Sequence, residues 1–209
     1  MSLIEWVEKG DTERVWECIK QGVDVNVRDG DGWTALMRAC LKNDMEIVKL
    51  LLDNGADVNA GNYLGNTSLS IASSHGSANF VKLLLENGAN VEAANYFGWT
   101  ALMDAAMSGH TDSLKVLLEN GADVESSDDI GTTALMYAVN FSVAKLLLEY
   151  GADVDAKNKY GCTALMLATR AEKSRIVKLL LENGADMEAK EEYNRTAFNH
   201  VLCAEIQND

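Results

Sequence analysis

Between residues 98 and 126 the apolar positions recur at helical spacing twice over. Leu102, Ala105 and Ala106 predict a short helix through about Ser108, closed by Gly109 in the C′ position. Leu114, Leu117 and Leu118 predict a second helix, from about Asp112 to Glu119, ended by Gly121. Gly98 lets the chain turn ahead of the first helix, and Thr100 is placed to cap it by accepting a bond from an orphan backbone N–H. Ala122-Asp123-Val124-Glu125 then reads as an extended turn towards the next unit. On the polar face of the second helix Lys and Glu stand four apart: Lys82/Glu86, Lys115/Glu119, Lys145/Glu149 and Lys178/Glu182. Such pairs mark a solvated outer surface and contribute ~0.2–0.5 kcal/mol each.

This two-helix pattern returns along the whole chain. A Thr stands at Thr34, Thr67, Thr100, Thr133, Thr163 and Thr196, with spacings of 33, 33, 33, 30 and 33. Around it the sequence reads Trp33-Thr34-Ala35-Leu36-Met37 and again Trp99-Thr100-Ala101-Leu102-Met103. A fixed period of this size predicts a solenoid, in which each unit buries its apolar face only against its neighbours. The expected units are about 1–29, 30–62, 63–95, 96–128, 129–158 (shorter by three) and 159–191, with 192–209 a partial cap, all in a single domain over 1–209. Trp6 takes the place of Ala39 at a position that faces a preceding unit, so it is expected to cover the end of the core. Trp16 is expected to be partly exposed on the second helix.

The repeated phrases closely resemble those of the ankyrin-repeat family. The matching features are Gly-x-Thr-x-Leu at the hairpin exit, Gly109-His110 between helices, and runs such as Leu83-Leu84-Leu85-Glu86-Asn87-Gly88-Ala89. The resemblance spans nearly the whole chain. It implies an all-α repeat solenoid, with a β-hairpin or turn and two antiparallel helices per unit, that serves as a non-catalytic protein–protein interaction module. The chain departs from the family at Ala35/Met37, Ala101/Met103 and Ala164/Met166, where Thr-Ala-Leu-Met replaces the usual Thr-Pro-Leu-His, and it has no Pro at all. Losing Pro gives up a preset φ at the first helical position, although Ala is the best helix former. Losing His removes a hydrogen bond that the family makes to the Thr, so a modest stability cost is expected.

The three residues missing from the fifth unit lie opposite Met107, Ser108 and Gly109. That is ~0.8 of a helical turn, so the remainder is not expected to stay in phase without distortion. Two readings stand: a tightened loop, or a notch on the inner wall near Tyr137, Asn140 and Phe141.

The net charge is −14. It is evenly spread, with 8 basic against 15 acidic residues in 1–104 and 10 against 17 in 105–209. This disfavours nucleic acid and anionic membrane as partners. Cys18, Cys40, Cys162 and Cys203 show no paired spacing; three fall on apolar helix positions and Cys162 in a hairpin. Reduced thiols and a cytoplasmic location follow. Residues 1–10 lack the character of a signal peptide, and no apolar run approaches a membrane span.

Candidate chemistry is sparse. His75, His110 and His200 fall at unrelated places in their units, and no phosphate loop, nucleophile elbow or zinc pattern occurs, so no enzyme, metal or cofactor is expected. Asp128-Asp129 reads as a solvated turn. The tips carry more signal. Three residues before each Thr stand Asp31, Leu64, Phe97, Ile130, Tyr160 and Tyr193; four before are Tyr63 and Tyr96; one before are Trp33 and Trp99. Four residues after each Thr come Arg38, Ile71, Asp104, Tyr137 and Leu167, which the resemblance places on the same inner wall. Large apolar residues are unusual at turns, and exposed Trp and Tyr are typical of binding hot spots. Packing of tip on tip is the competing explanation. A partner protein is expected to offer an apolar ridge with basic flanks, since Asp29, Asp31, Asp104, Asp128 and Asp129 surround the central tips. Lys157, Lys159, Arg170, Lys190 and Arg195 reverse the sign further on. Asn26 and Asn59 resemble positions that asparaginyl hydroxylases modify in the family, and Ser126 fits an acidophilic kinase site. A monomeric adaptor, scaffold or inhibitor is the leading expectation. The alternatives are a regulatory or targeting fragment of a larger protein, or an effector secreted by an intracellular pathogen.

Overall fold

In the computed structural model, residues 1–193 and 195–197 are described. Twelve helices run in six pairs among them: α1 (Leu3–Lys9) and α2 (Thr12–Lys20), α3 (Ala35–Leu41) and α4 (Met45–Asp53), α5 (Ser68–Ser74) and α6 (Ala78–Glu86), α7 (Ala101–Ser108) and α8 (Thr111–Glu119), α9 (Ala134–Tyr137) and α10 (Phe141–Glu149), α11 (Ala164–Arg170) and α12 (Ser174–Glu182). The odd-numbered helices stack in sequence, each against the next, and form the inner row. In the outer row α2 packs on α4, α6 on α8, and α10 on both α8 and α12. His200 and Cys203 lie outside the described residues.

Small side chains let the inner row approach closely. Ala39, Ala72, Ala105 and Ala168 recur at one register position and are buried, and Ala35, Ala101, Ala134 and Ala164 form a second buried set. The outer helices fill the space between layers with larger groups, among them Ile47, Leu51, Leu84, Leu114, Leu117 and Leu147, all fully buried. The four Lys/Glu pairs form on the outer surface at 3.5 to 3.9 Å.

Four of the hairpins reduce to single antiparallel bridges, Arg28 with Thr34, Gly61 with Thr67, Ala94 with Thr100, and Ser127 with Thr133. Five tips are closed by an Asp or Asn five residues before the Thr, and the sixth by Glu191, which accepts from the Tyr193 N–H. Asn95 Oδ1, for example, accepts from the backbone N–H of Phe97 (2.9 Å) and Trp99 (3.1 Å). Gly98 sits there at φ +72, and a Cβ on it would come within 2.9 Å of the Asp129 nitrogen, so the close approach of the next tip requires Gly.

Two expectations about capping need correction. Thr34 and Thr163 accept from the N–H of Met37 (3.3 Å) and Met166 (3.4 Å), but Thr100 makes no such bond and its buried hydroxyl has no partner. The Met that replaces His is not idle either. The Met37 sulfur accepts from the Thr34 N–H at 3.5 Å, so a weak acceptor stands where the imidazole bond was expected to be lost.

The three-residue deletion shortens α9 to four residues, after which Ala138 turns extended at φ −53, ψ 118. The expected loss of phase does not spread. Asn140 caps α10 through the Val143 N–H (2.9 Å), and α10 keeps nine residues and buries Val143, Ala144 and Leu147. Lys173, one unit on, donates its Nζ to the Ala138 carbonyl at 3.0 Å. At the N-terminal end Trp6 packs against the core with Lys9 and Arg14 over its ring, and Trp16 is exposed under Lys20.

Candidate functional site

The tips are joined in a row by backbone bonds. The N–H four residues before each Thr donates to the carbonyl of the preceding tip: Tyr63 to Asp31 (3.4 Å), Tyr96 to Leu64 (3.0 Å), Asp129 to Phe97 (3.0 Å), Lys159 to Ile130 (2.8 Å) and Glu192 to Tyr160 (2.8 Å). Since this bonding uses main chain, the side chains are left to project. Tyr63, Leu64, Tyr96, Phe97, Ile130, Tyr160 and Tyr193 are all exposed, Tyr96 to 73% and Leu64 to 52%. Tyr63 lies on Gly32 of the neighbouring tip, where a Cβ would meet its ring at 2.7 Å, and Arg195 lies over the Tyr193 ring. Tip-on-tip packing therefore accounts for Tyr63 in part and leaves Leu64, Tyr96 and Phe97 facing solvent.

Trp33 and Trp99 behave differently. Both are half-buried and pack against the core. Arg38 stacks on the Trp33 ring at 4.7 Å and pairs with Asp29 at 2.5 Å, while Glu8 stands 3.6 Å away. Burial alone would push Asp29 up, yet Arg38 and the N–H groups of Trp33 and Asp31 hold its carboxyl below the usual range. Trp99 lies 4.3 Å from the Tyr137 ring, tilted by 55°, and donates its Nε1–H to Asp104 Oδ1 at 2.9 Å. Tyr137 in turn donates to Asp128 at 2.5 Å, and burial together with this bond pushes its hydroxyl up to about 12.

Between the tips and the inner helices these residues enclose an open groove of about 410 Å³, walled by Trp33, Ile71, Phe97 and Trp99 with Asp104 beside Trp99. Of the inner-wall positions, Ile71 is only 6% exposed and serves as floor. Burial pushes the Asp104 carboxyl up to about 7, against the smaller lowering effect of its bond from Trp99. A second, smaller concavity of about 280 Å³ opens where α9 is short, lined by Met107, Tyr137, Val139 and Leu167. Asn140 and Phe141 border an adjoining one, with Arg175 over the Phe141 ring.

The remaining sequence candidates serve the stack. Asn26 bridges to the next unit by accepting from the Asp57 N–H (2.7 Å) and donating to the Gly55 carbonyl (3.2 Å). Asn59 does the same with Asn90 and Gly88. Ser126 donates to Glu92 at 2.9 Å. His110 contacts the Ser74 carbonyl at 3.1 Å, and His75 the Ile71 carbonyl at 2.9 Å. Cys40 is buried and its thiol is pushed up to about 12 by burial, while Cys162 is buried at its tip. Among the described residues no cluster of His, Cys, Asp or Glu suits a metal ion, and no helix is long and apolar enough to cross a membrane.

What sequence reasoning missed is the Asp or Asn that closes five of the tips, and its bond to the residue four after the Thr at Asp29–Arg38 and Asp128–Tyr137. The signal was present as the series Asp29, Asn62, Asn95, Asp128 and Asn158 at constant offset.

A family profile described as "Ankyrin repeats (3 copies)" matches residues 3–95, 60–128, 92–158, 125–191 and 143–204. Among solved structures, the chain is similar to the ankyrin repeat domain of Bcl-3, titled a unique member of the IkappaB protein family. The identity is 28%, with 98% of each chain covered and a TM-score of 0.82. No curated protein sequence matches the chain.

Proposed function

Since the chain belongs to the ankyrin-repeat family, whose members are generally protein-interaction modules, we propose that it is a non-catalytic adaptor, scaffold or inhibitor that grips a partner protein with its tip and inner-helix face. One observation carries this reading: Leu64, Tyr96 and Phe97 stay exposed beside the groove although the tips are already joined through their main chain. Large apolar side chains that structure does not consume, set around a concavity, are the residues that binding energy concentrates on. The reading takes the chain to act as a monomer inside the cell, with partners other than nucleic acid, in keeping with its charge of −14.

The test is a paired affinity purification followed by mass spectrometry. The variant bait is Leu64→Ser/Tyr96→Ser/Phe97→Ser, which leaves the half-buried Trp33 and Trp99 in place. A protein captured by the wild-type chain and lost with the variant, at unchanged circular dichroism, supports the reading. Equal capture by both baits would move the binding face to the notch or to the outer helices.

A further inference from the structure

We propose that the groove between Trp33 and Trp99 receives a lysine side chain of the partner, with Asp104 as its acceptor; this rests on the reading of that face as the binding face. The repeat itself provides the comparison. Two positions of the repeat can be compared, the one five residues before the Thr and the one four after it, which bond to each other in the second and fifth units. In the second unit these are Asp29 and Arg38, and the guanidinium sits between the Asp29 carboxylate and the Trp33 ring. In the fifth they are Asp128 and Tyr137, joined by a hydrogen bond. In the fourth they are Asn95 and Asp104, so the carboxylate has crossed to the inner helix beside Trp99. Aromatic face and carboxylate are both there, as around Arg38, yet among the described residues no Lys or Arg forms an ion pair with Asp104.

The rest of the groove is lined by uncharged hydroxyls, amides and apolar groups together with His75. The Ser70 and Ser74 hydroxyls donate to the carbonyls of Thr67 and Ile71, both at 3.0 Å, and Ser74 Oγ also lies 3.0 Å from His75 Nδ1. Asn66 Oδ1 already accepts from Asn95. Trp33, Phe97, Trp99 and Ile71 offer apolar and π surface. An alkyl stem ending in a cation complements this lining: the methylenes lie along the rings and the charge reaches the carboxylate. Lysine fits better than arginine, because Trp99 occupies Asp104 Oδ1 and one free oxygen suits a point charge more than a two-pronged fork.

Burial holds Asp104 near 7, so binding an ammonium ionises it, and affinity rises as pH is raised through that value. Other groups around it bear on this dependence. α5 contributes His75 to the same lining, and α9 contributes Tyr137 with Asp128 behind it. The charged residues of α8, Asp112, Lys115 and Glu119, are exposed on the outer surface.

Nitrogen-15 spectra of the full chain give four indole signals, of which those of Trp6 and Trp16 serve as internal controls. The probes are N-acetyl-lysine methylamide, its norleucine analogue with the same stem and no charge, and its arginine analogue. The lysine probe is expected to shift Trp33 and Trp99 alone, about tenfold more tightly than norleucine. In Asp104→Asn that preference should disappear while thermal unfolding stays cooperative. The proposal is overturned by equal response to lysine and norleucine, by a preference that survives Asp104→Asn, by tighter arginine binding, or by silent indoles. Equal lysine and norleucine binding would leave the groove as a binding face and remove only its acceptor, whereas failure of the wider reading would show in the capture experiment.

Discussion

Asp104 holds a proton near neutrality that the unfolded chain releases near the ordinary carboxyl value of 3.8. The folded state therefore binds more protons than the unfolded state across that window, and stability falls as pH rises through it. The Asp104→Asn variant escapes this loss. We expect urea unfolding to show it more stable than wild type by roughly 1–2 kcal/mol at about pH 8, a figure discounted for water reaching the half-buried carboxyl, with the difference closing towards about pH 4. Glu172 is a second residue at odds with its place. It stands at φ 55, in the left-handed region, where Gly10, Gly76 and Gly109 stand in other units. Glu172→Gly should raise stability by about 1 kcal/mol, seen as a higher Tm. Neither effect was legible in the sequence. The identity of Asp104 was plain, but its charge state follows from how Trp99 and Ile71 bury it, and a carboxylate near Asp29 and Asp128 reads at first as one more solvated acid.

Helices were the most legible scale. Periodicity and the Gly and Thr punctuation located the α7–α8 pair to within a residue, because each unit's apolar stripe has only its neighbours to pack on. The position of the deletion followed from counting; the chain's response to it did not. Instead of forcing a register slip, the chain drops the last turn of α9 and leaves the Ala138 carbonyl, in a residue only 4% exposed, to a donor from α12's N-cap. That donor is Lys173, a poor capping residue with no cap bond of its own. Lys173→Met should therefore destabilise the chain by about 1–3 kcal/mol, measured by urea unfolding, since it leaves a buried carbonyl unpaired. The same substitution at exposed Lys178 should change little.

Among the described helices the main contacts are within a unit or between adjacent units, so local stability follows the quality of each junction. The α9 junction is the thinnest part of the inner row, one turn where its neighbours have two. Native-state hydrogen exchange should find α11 and α12 opening at lower free energy than α5 to α8. Uniform protection along the row would show that the tip bonds and Lys173 make good the missing turn. The bond from Lys173 to Ala138 also bears on how such an array can change over generations. Ankyrin units are often treated as tiles that duplicate, swap and delete freely. Here the shortened tile and the one after it are matched by a single lysine: exchange either alone and a buried carbonyl loses its donor, or the donor its carbonyl. Recombination that falls between the two is therefore expected to cost the array a buried hydrogen bond.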